Sequence, residues 1–193
     1  MTSPPKHRPV HGFAIVSDDD CIAAADGSMP AVLRHDSDWA YFQAHLAAAA
    51  LVVTGRHGHE AHANPAGRKR LVFSTRVKRF EQSDGVWWFN PAGGMQFEAA
   101  AAEIAGRGDG CIAVTGGQQV FDWFLKHQTF DAFHLTRAKG VVLSGGKRLF
   151  SDGGDAEAAL ARHGLMPGPA RIINAAPEIA VTVFARPAAF KPR

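Results

Sequence analysis

Residues 111–125 read CIAVTGGQQVFDWFL, and this stretch decides the fold class. Its first residues are apolar without polar alternation, the pattern of a strand buried on both faces. Gly116 and Gly117 then interrupt the run. Beyond them Val120, Phe121, Phe124 and Leu125 recur at the spacing of one helical face. A strand that runs through a short turn into a helix is the repeating unit of a parallel α/β sheet. The turn can be read in two ways. It is either a tight strand-to-helix connection, or a place where backbone N–H groups and the positive end of a helix dipole face an anion. Gln118 and Gln119 follow the glycines, so the GxGxxG dinucleotide fingerprint is not met.

Working outward, short apolar runs predict strands at Phe13–Val16, Leu51–Thr54, Leu71–Ser74, Val86–Phe89, Cys111–Thr115, Ala132–Thr136, Arg171–Asn174 and Ile179–Phe184. A helix is predicted from Ser37 to Ala49, with Asp36 as N-cap and Trp39, Phe42 and Leu46 as its apolar stripe. Others are predicted at Met95–Ala105, after Gly116-Gly117, and around Asp155–His163, with a short one after Gly55-Arg56. The alternation implies a single-domain α/β fold over residues 10–187: a mainly parallel central sheet, helices on both faces, and an antiparallel C-terminal edge hairpin. The Pro-rich ends, 1–9 and 188–193, read as flexible tails.

The 193 residues suit one core, and 46% hydrophobic with 20% charged residues is a globular composition. No apolar run approaches the roughly 18 residues of a membrane span, and no hydrophobic leader core is visible, so a cytoplasmic protein with no membrane partner is expected. Cys21 and Cys111 are isolated, which suggests plain thiols. A net charge of +3 suits a phosphate-bearing ligand. Nucleic acid is not expected, because the basic residues are not interleaved with an aromatic platform.

The stretch VVTGRHGHEAHANPAGRKRLVFSTR, 52–76, offers two chemistries. His57, His59, Glu60 and His62 suggest a metal, but they miss the HExxH spacing, and a third ligand would have to come from elsewhere; no metal is expected. The anionic reading fits better. One strand ends at Gly55-Arg56 and another at Ser74-Thr75-Arg76, and ligands of open α/β sheets bind at the carboxyl ends of strands. With Gly116-Gly117 these make three strand ends that offer donors to phosphate groups. Asp38 lies in the first turn of its helix, where it can simply favour the dipole. It also borders Trp39 and Phe42, as a carboxylate that handles a ligand would.

In this order and spacing the segments SMP, DWAYF, VVTGRH, AGRKRLVFST, AVTGGQQVFDWFL and HLTRA resemble dihydrofolate reductase from His11 to Arg186. The resemblance implies that Asp38 is the active-site carboxylate that binds the pterin ring and favours protonation of its imine nitrogen, with Thr136 as its hydrogen-bonding supporter. It implies pyrophosphate contacts at Gly55, Arg56 and His57, and a 2′-phosphate site at Ser74, Thr75 and Arg76. The Gly116-Gly117 turn, continuing into Gln118 and Gln119, would pass under the nicotinamide cofactor. It also implies substrate contacts from Ala14, Phe42 and Arg68, the last toward a folate carboxylate. The implied activity is NADPH-dependent hydride transfer to a dihydropterin or dihydrofolate C=N bond by a monomer or homodimer.

Three departures bear on substrate: Ala31 stands where the family has tryptophan, Trp39 replaces a smaller aliphatic residue, and Phe121 stands where a tyrosine is common. Two alternatives remain open. One is the reductase of riboflavin biosynthesis, which shares the fold, reduces a ribosylaminopyrimidine phosphate, and generally lacks the helix aspartate. The other is a non-catalytic nucleotide-binding protein of the same fold. The loop 18–27 is a candidate lid.

Overall fold

A computed structural model describes residues 7–106, 108–127 and 129–187. The strands are β1 (Val10–Val16), β2 (Cys21–Ala23), β3 (Leu51–Gly55), β4 (Arg70–Phe73), β5 (Phe80–Ser83), β6 (Val86–Phe89), β7 (Ile112–Val114), β8 (Ala132–Ala138), β9 (Lys147–Arg148), β10 (Met166–Pro167), β11 (Arg171–Ala175) and β12 (Glu178–Ala185). The helices are α1 (Asp36–Ala48), α2 (Arg56–Ala61), α3 (Phe97–Ala105), α4 (Gln118–Lys126) and α5 (Ala156–Arg162).

The central sheet runs β10-β12-β8-β1-β7-β3-β4-β6-β5, with β11 beside β12. Its middle is parallel from β8 to β6, as the buried apolar strands predict. β11 and β12 form the expected antiparallel hairpin. β12 is not the outermost strand, because it also inserts antiparallel against β8. At the far edge β5 closes antiparallel on β6. A separate pair, β2 with β9, lies off the main sheet.

Side chains alternate across each strand, so the two faces differ. Val16, Leu51, Val53, Leu71, Phe73, Val114, Phe133 and Leu135 join α3, α4 and α5 in the main core. Phe13, Val52 and Ala113 meet Leu46 of α1 on the opposite face. Gly12 shows how tightly the main face is packed: a Cβ there would sit 2.3 Å from the Phe133 ring.

Two local expectations need correction. The N-cap of α1 is His35, with no side-chain cap bond, and Asp36 is the first helical residue; its carboxylate favours the dipole instead. The stripe of α1 is also narrower than predicted: Leu46 is buried, but Trp39 is 56% exposed. At the start of the described chain, Arg8 donates to the carbonyls of Gly106, Gly108 and Gly110, and His7 bonds Asp131. Residues 7–9 are therefore bound to the domain. Residues 1–6 and 188–193 lie outside the described residues.

Candidate functional site

α1 crosses the sheet so that Asp38 faces Thr136 of β8, and the threonine hydroxyl bonds the carboxylate. Thr136 is 2% exposed. Desolvation by burial pushes the Asp38 carboxyl above its ordinary range; the Thr136 hydrogen bond, and then the nearby His35, pull partly the other way. An acid whose proton is held more firmly than in water is the kind of group that can deliver one to a ligand.

One turn further along α1, the Tyr41 hydroxyl lies 2.6 Å from Nδ1 of His134, which shares the Thr136 face of β8. His134 stacks on Phe13 with centroids 4.4 Å apart, and its Nε2 lies 3.4 Å from Nδ1 of His11. His45 packs against the same ring. Burial first, then His45 and His11, pull the His134 pKa down to about 3, so the ring is neutral. The neutral ring carries a single N–H, so one of these two nitrogens donates and the other accepts. Sequence reading missed this group. The available signal was parity: in an apolar strand, His134 stands two residues before Thr136, on the same face.

β7, β3 and β4 are neighbours in the parallel sheet, so their carboxyl ends lie side by side. Gly55 N donates to Gly116 O at 2.7 Å. Gly116 and Gly117 are joined by a cis peptide. Gly116 has φ +92°, and a Cβ there would meet the Phe121 ring at 2.6 Å; a Cβ on Gly117 would point into open space. The turn thus leaves room for a ligand directly above the start of α4. The first amides of that helix lack intrahelical carbonyl partners, which favours an anion. Gln119 is exposed, whereas the Gln118 side chain donates to Arg148 O and ties β9 to the helix start.

At the next two strand ends, Ser74 is buried and its Oγ accepts from Arg76 N, while Thr75 is exposed. Arg56 Nη1 lies 2.9 Å from both carboxylate oxygens of Glu60, and Arg56 Nη2 donates to Nε2 of His57. The Arg76 guanidinium approaches Glu60 to 4.0 Å. Two guanidiniums, two hydroxyls and an open Gly-Gly turn fit the donor set of a nucleotide with a 2′-phosphate, although an acid stands among them.

The other candidates fall as follows. Phe42 packs edge-on against Phe13 beneath α1. Arg68 is held by Asn64 and donates to Oε1 of Gln43, the residue after Phe42. Ala14 pairs with Leu135 and packs into the main core, so its methyl is on the opposite face from Asp38; Ile15 is the residue that shares the Thr136 face. His59 bonds Arg70 and packs against Trp88. Among the described residues no three His, Cys, Asp or Glu side chains are grouped to hold a metal.

The segment 18–27 is anchored along its first half. Asp18 accepts from Gly140 N, Asp19 from Leu143 N, and Asp20 from Arg137 and from Ala156 N at the start of α5. A second feature missed in the sequence is Trp123. With Phe97, Met95 and His127 it lines a cleft of about 290 Å³, and its ring packs on Phe73, the residue before Ser74.

No protein-family model matches the chain, and no curated protein sequence matches it. Solved structures do. A riboflavin biosynthesis protein of Shewanella sp. PV-4 superposes with a TM-score of 0.65 at 20% identity, covering 93% of this chain and 99% of its own. Dihydrofolate reductase of Enterococcus faecalis, solved with NADP(H) and RAB-propyl, superposes with a TM-score of 0.61 at 16% identity, covering 92% of this chain and 96% of its own. The chain therefore has the dihydrofolate reductase-like fold. No helix among the described residues is long and apolar enough to cross a membrane.

Proposed function

We propose that this protein is an NADPH-dependent reductase of a C=N bond in a dihydropterin or dihydrofolate. The observation that carries the proposal is the pairing of Asp38 with Thr136, at a desolvated position that raises the pKa of the acid. Reduction of C=N adds a hydride to carbon and a proton to nitrogen. A reduced nicotinamide, when bound, supplies the hydride. Gly117 leaves room for the flat ring, and Ser74, Thr75, Arg56 and Arg76 would hold the phosphates at the neighbouring strand ends. Asp38 binds the ring's polar edge and holds the proton destined for nitrogen, while Thr136 fixes the carboxyl's orientation. Phe42 lies one turn beyond Asp38 on α1 and packs on Phe13, and Arg68 beside Gln43 would meet a carboxylate-bearing tail.

The fold likeness to a riboflavin biosynthesis protein favours a second reading, reduction of a ribosylaminopyrimidine phosphate. That reaction has no evident need of the helix acid. NADPH oxidation, followed by nicotinamide absorbance, distinguishes the two when dihydrofolate, a dihydropterin and the pyrimidine are compared for wild type and Asp38→Asn. Pterin turnover that falls by about 10²-fold or more in the variant is expected. Turnover of the pyrimidine alone, or activity indifferent to Asp38, overturns the pterin reading. NADPH binding with no turnover would reduce the protein to a nucleotide-binding module.

A further inference from the structure

Glu60 belongs to no step of the proposed reaction, yet it stands between the two guanidiniums nearest the adenosine end of the nucleotide site. Arg56 holds both of its oxygens at 2.9 Å, from four residues earlier on α2, and Arg76 approaches from the end of β4 at 4.0 Å. Arg56, which the family resemblance gives to the pyrophosphate, here converges with Arg76 on one carboxylate, so that carboxylate occupies the position between cations that a 2′-phosphate oxygen would seek.

We infer that Glu60 is a built-in competitor for the 2′-phosphate and lowers the protein's preference for NADPH over NADH. The inference rests on the proposed nucleotide site. A phosphate entering between Arg56 and Arg76 must displace the carboxylate or bind beside it against like-charge repulsion. NADH brings no such charge, and its 2′-hydroxyl can donate to an acid, as the ribose hydroxyl does in NAD-specific sites. The side chains are unequally exposed, 23% for Arg56, 47% for Glu60 and 70% for Arg76, so the pair is screened and can open.

The test is Glu60→Gln with nucleotide affinity as the readout, measured calorimetrically for NADPH and NADH on the full chain without substrate. The amide keeps the size and removes the charge. NADPH is expected to bind about three- to tenfold more tightly in the variant, while NADH is unchanged or weaker; the modest size follows from solvent screening. Unchanged or weaker NADPH binding overturns the inference, since Glu60 would then serve only to position Arg56. An equal gain for both nucleotides also overturns it, because a general charge effect acts on the shared pyrophosphate. If the wild type binds neither nucleotide, the site assignment fails and this inference fails with it. The first two results leave the site assignment standing.

Discussion

On one face of the sheet Phe73, Phe124, Phe130 and Phe133 pack ring against ring beneath α4, whereas on the other α1 lies over His134, Thr136 and His11. The strands are the same; only the parity of the residues differs. The aromatic face is held by shape and tolerates almost no added volume. The α1 face is held partly by hydrogen bonds between groups that titrate, so its stability and chemistry respond to pH. A fold that gathers its titratable groups on the second face keeps the protons out of the rigid core.

The largest effect that would test this contrast is steric. Gly12→Ala places a methyl 2.3 and 2.4 Å from two atoms of the Phe133 ring and 3.0 Å from Phe130. A loss of about 3 kcal/mol in urea unfolding is expected, at the upper end for overpacking, because the obstructing rings are themselves enclosed. A loss below about 1 kcal/mol would mean that the aromatic face yields more readily than its packing implies.

The second prediction concerns protons on the opposite face. His134 is neutral in the folded protein, with a pKa near 3, and close to 6.5 when unfolded. The stability linked to its neutral form is complete above pH 6.5 and is lost as pH falls toward 3, because the unfolded chain takes up the proton first. Between pH 7.5 and 5.0 this linkage is worth at most about 2 kcal/mol. His11, also depressed by burial, adds in the same direction. His134→Phe removes the titrating ring and should flatten the fall in stability over that interval, whatever its cost at neutral pH from the lost Tyr41 bond. An undiminished pH slope in the variant would place the acid sensitivity elsewhere.

Much of this architecture was legible in the sequence, for a physical reason. The parallel strands are buried on both sides, so they appear as unbroken apolar runs such as Leu51–Val53, and α4 is amphipathic enough to declare which residues it buries. The strands that escaped notice are those with little to bury. β5 reads FEQS on an exposed edge, β10 contains a proline, and β2 and β9 are two or three residues long. Asp38 and Thr136 were legible as a pair only through the order of motifs, since nothing in local spacing joins a helix residue to a strand 98 positions later. The Tyr41–His134–His11 cluster was legible only through the shared parity of His134 and Thr136, because each member taken singly is an ordinary polar residue among apolar neighbours. Glu60 is likewise ordinary taken singly, and its meaning depends on Arg76 arriving from another strand.

The smallest effect isolates Thr136 from Asp38. The Thr136 hydroxyl bonds the Asp38 carboxylate and opposes the upward shift that burial imposes. Thr136→Val keeps the shape and removes the bond, so the Asp38 pKa should rise further. If protonated Asp38 is the productive form, activity falls as pH rises through that pKa, and the alkaline limb of the kcat/KM profile should move to higher pH in the variant. Activity well below the limb should change little, because the acid itself is still present. A merely structural threonine would lower activity at every pH and leave the limb in place. A limb that moved to lower pH would mean instead that Thr136 stabilises the protonated acid, and the direction of its hydrogen bond would have to be reversed.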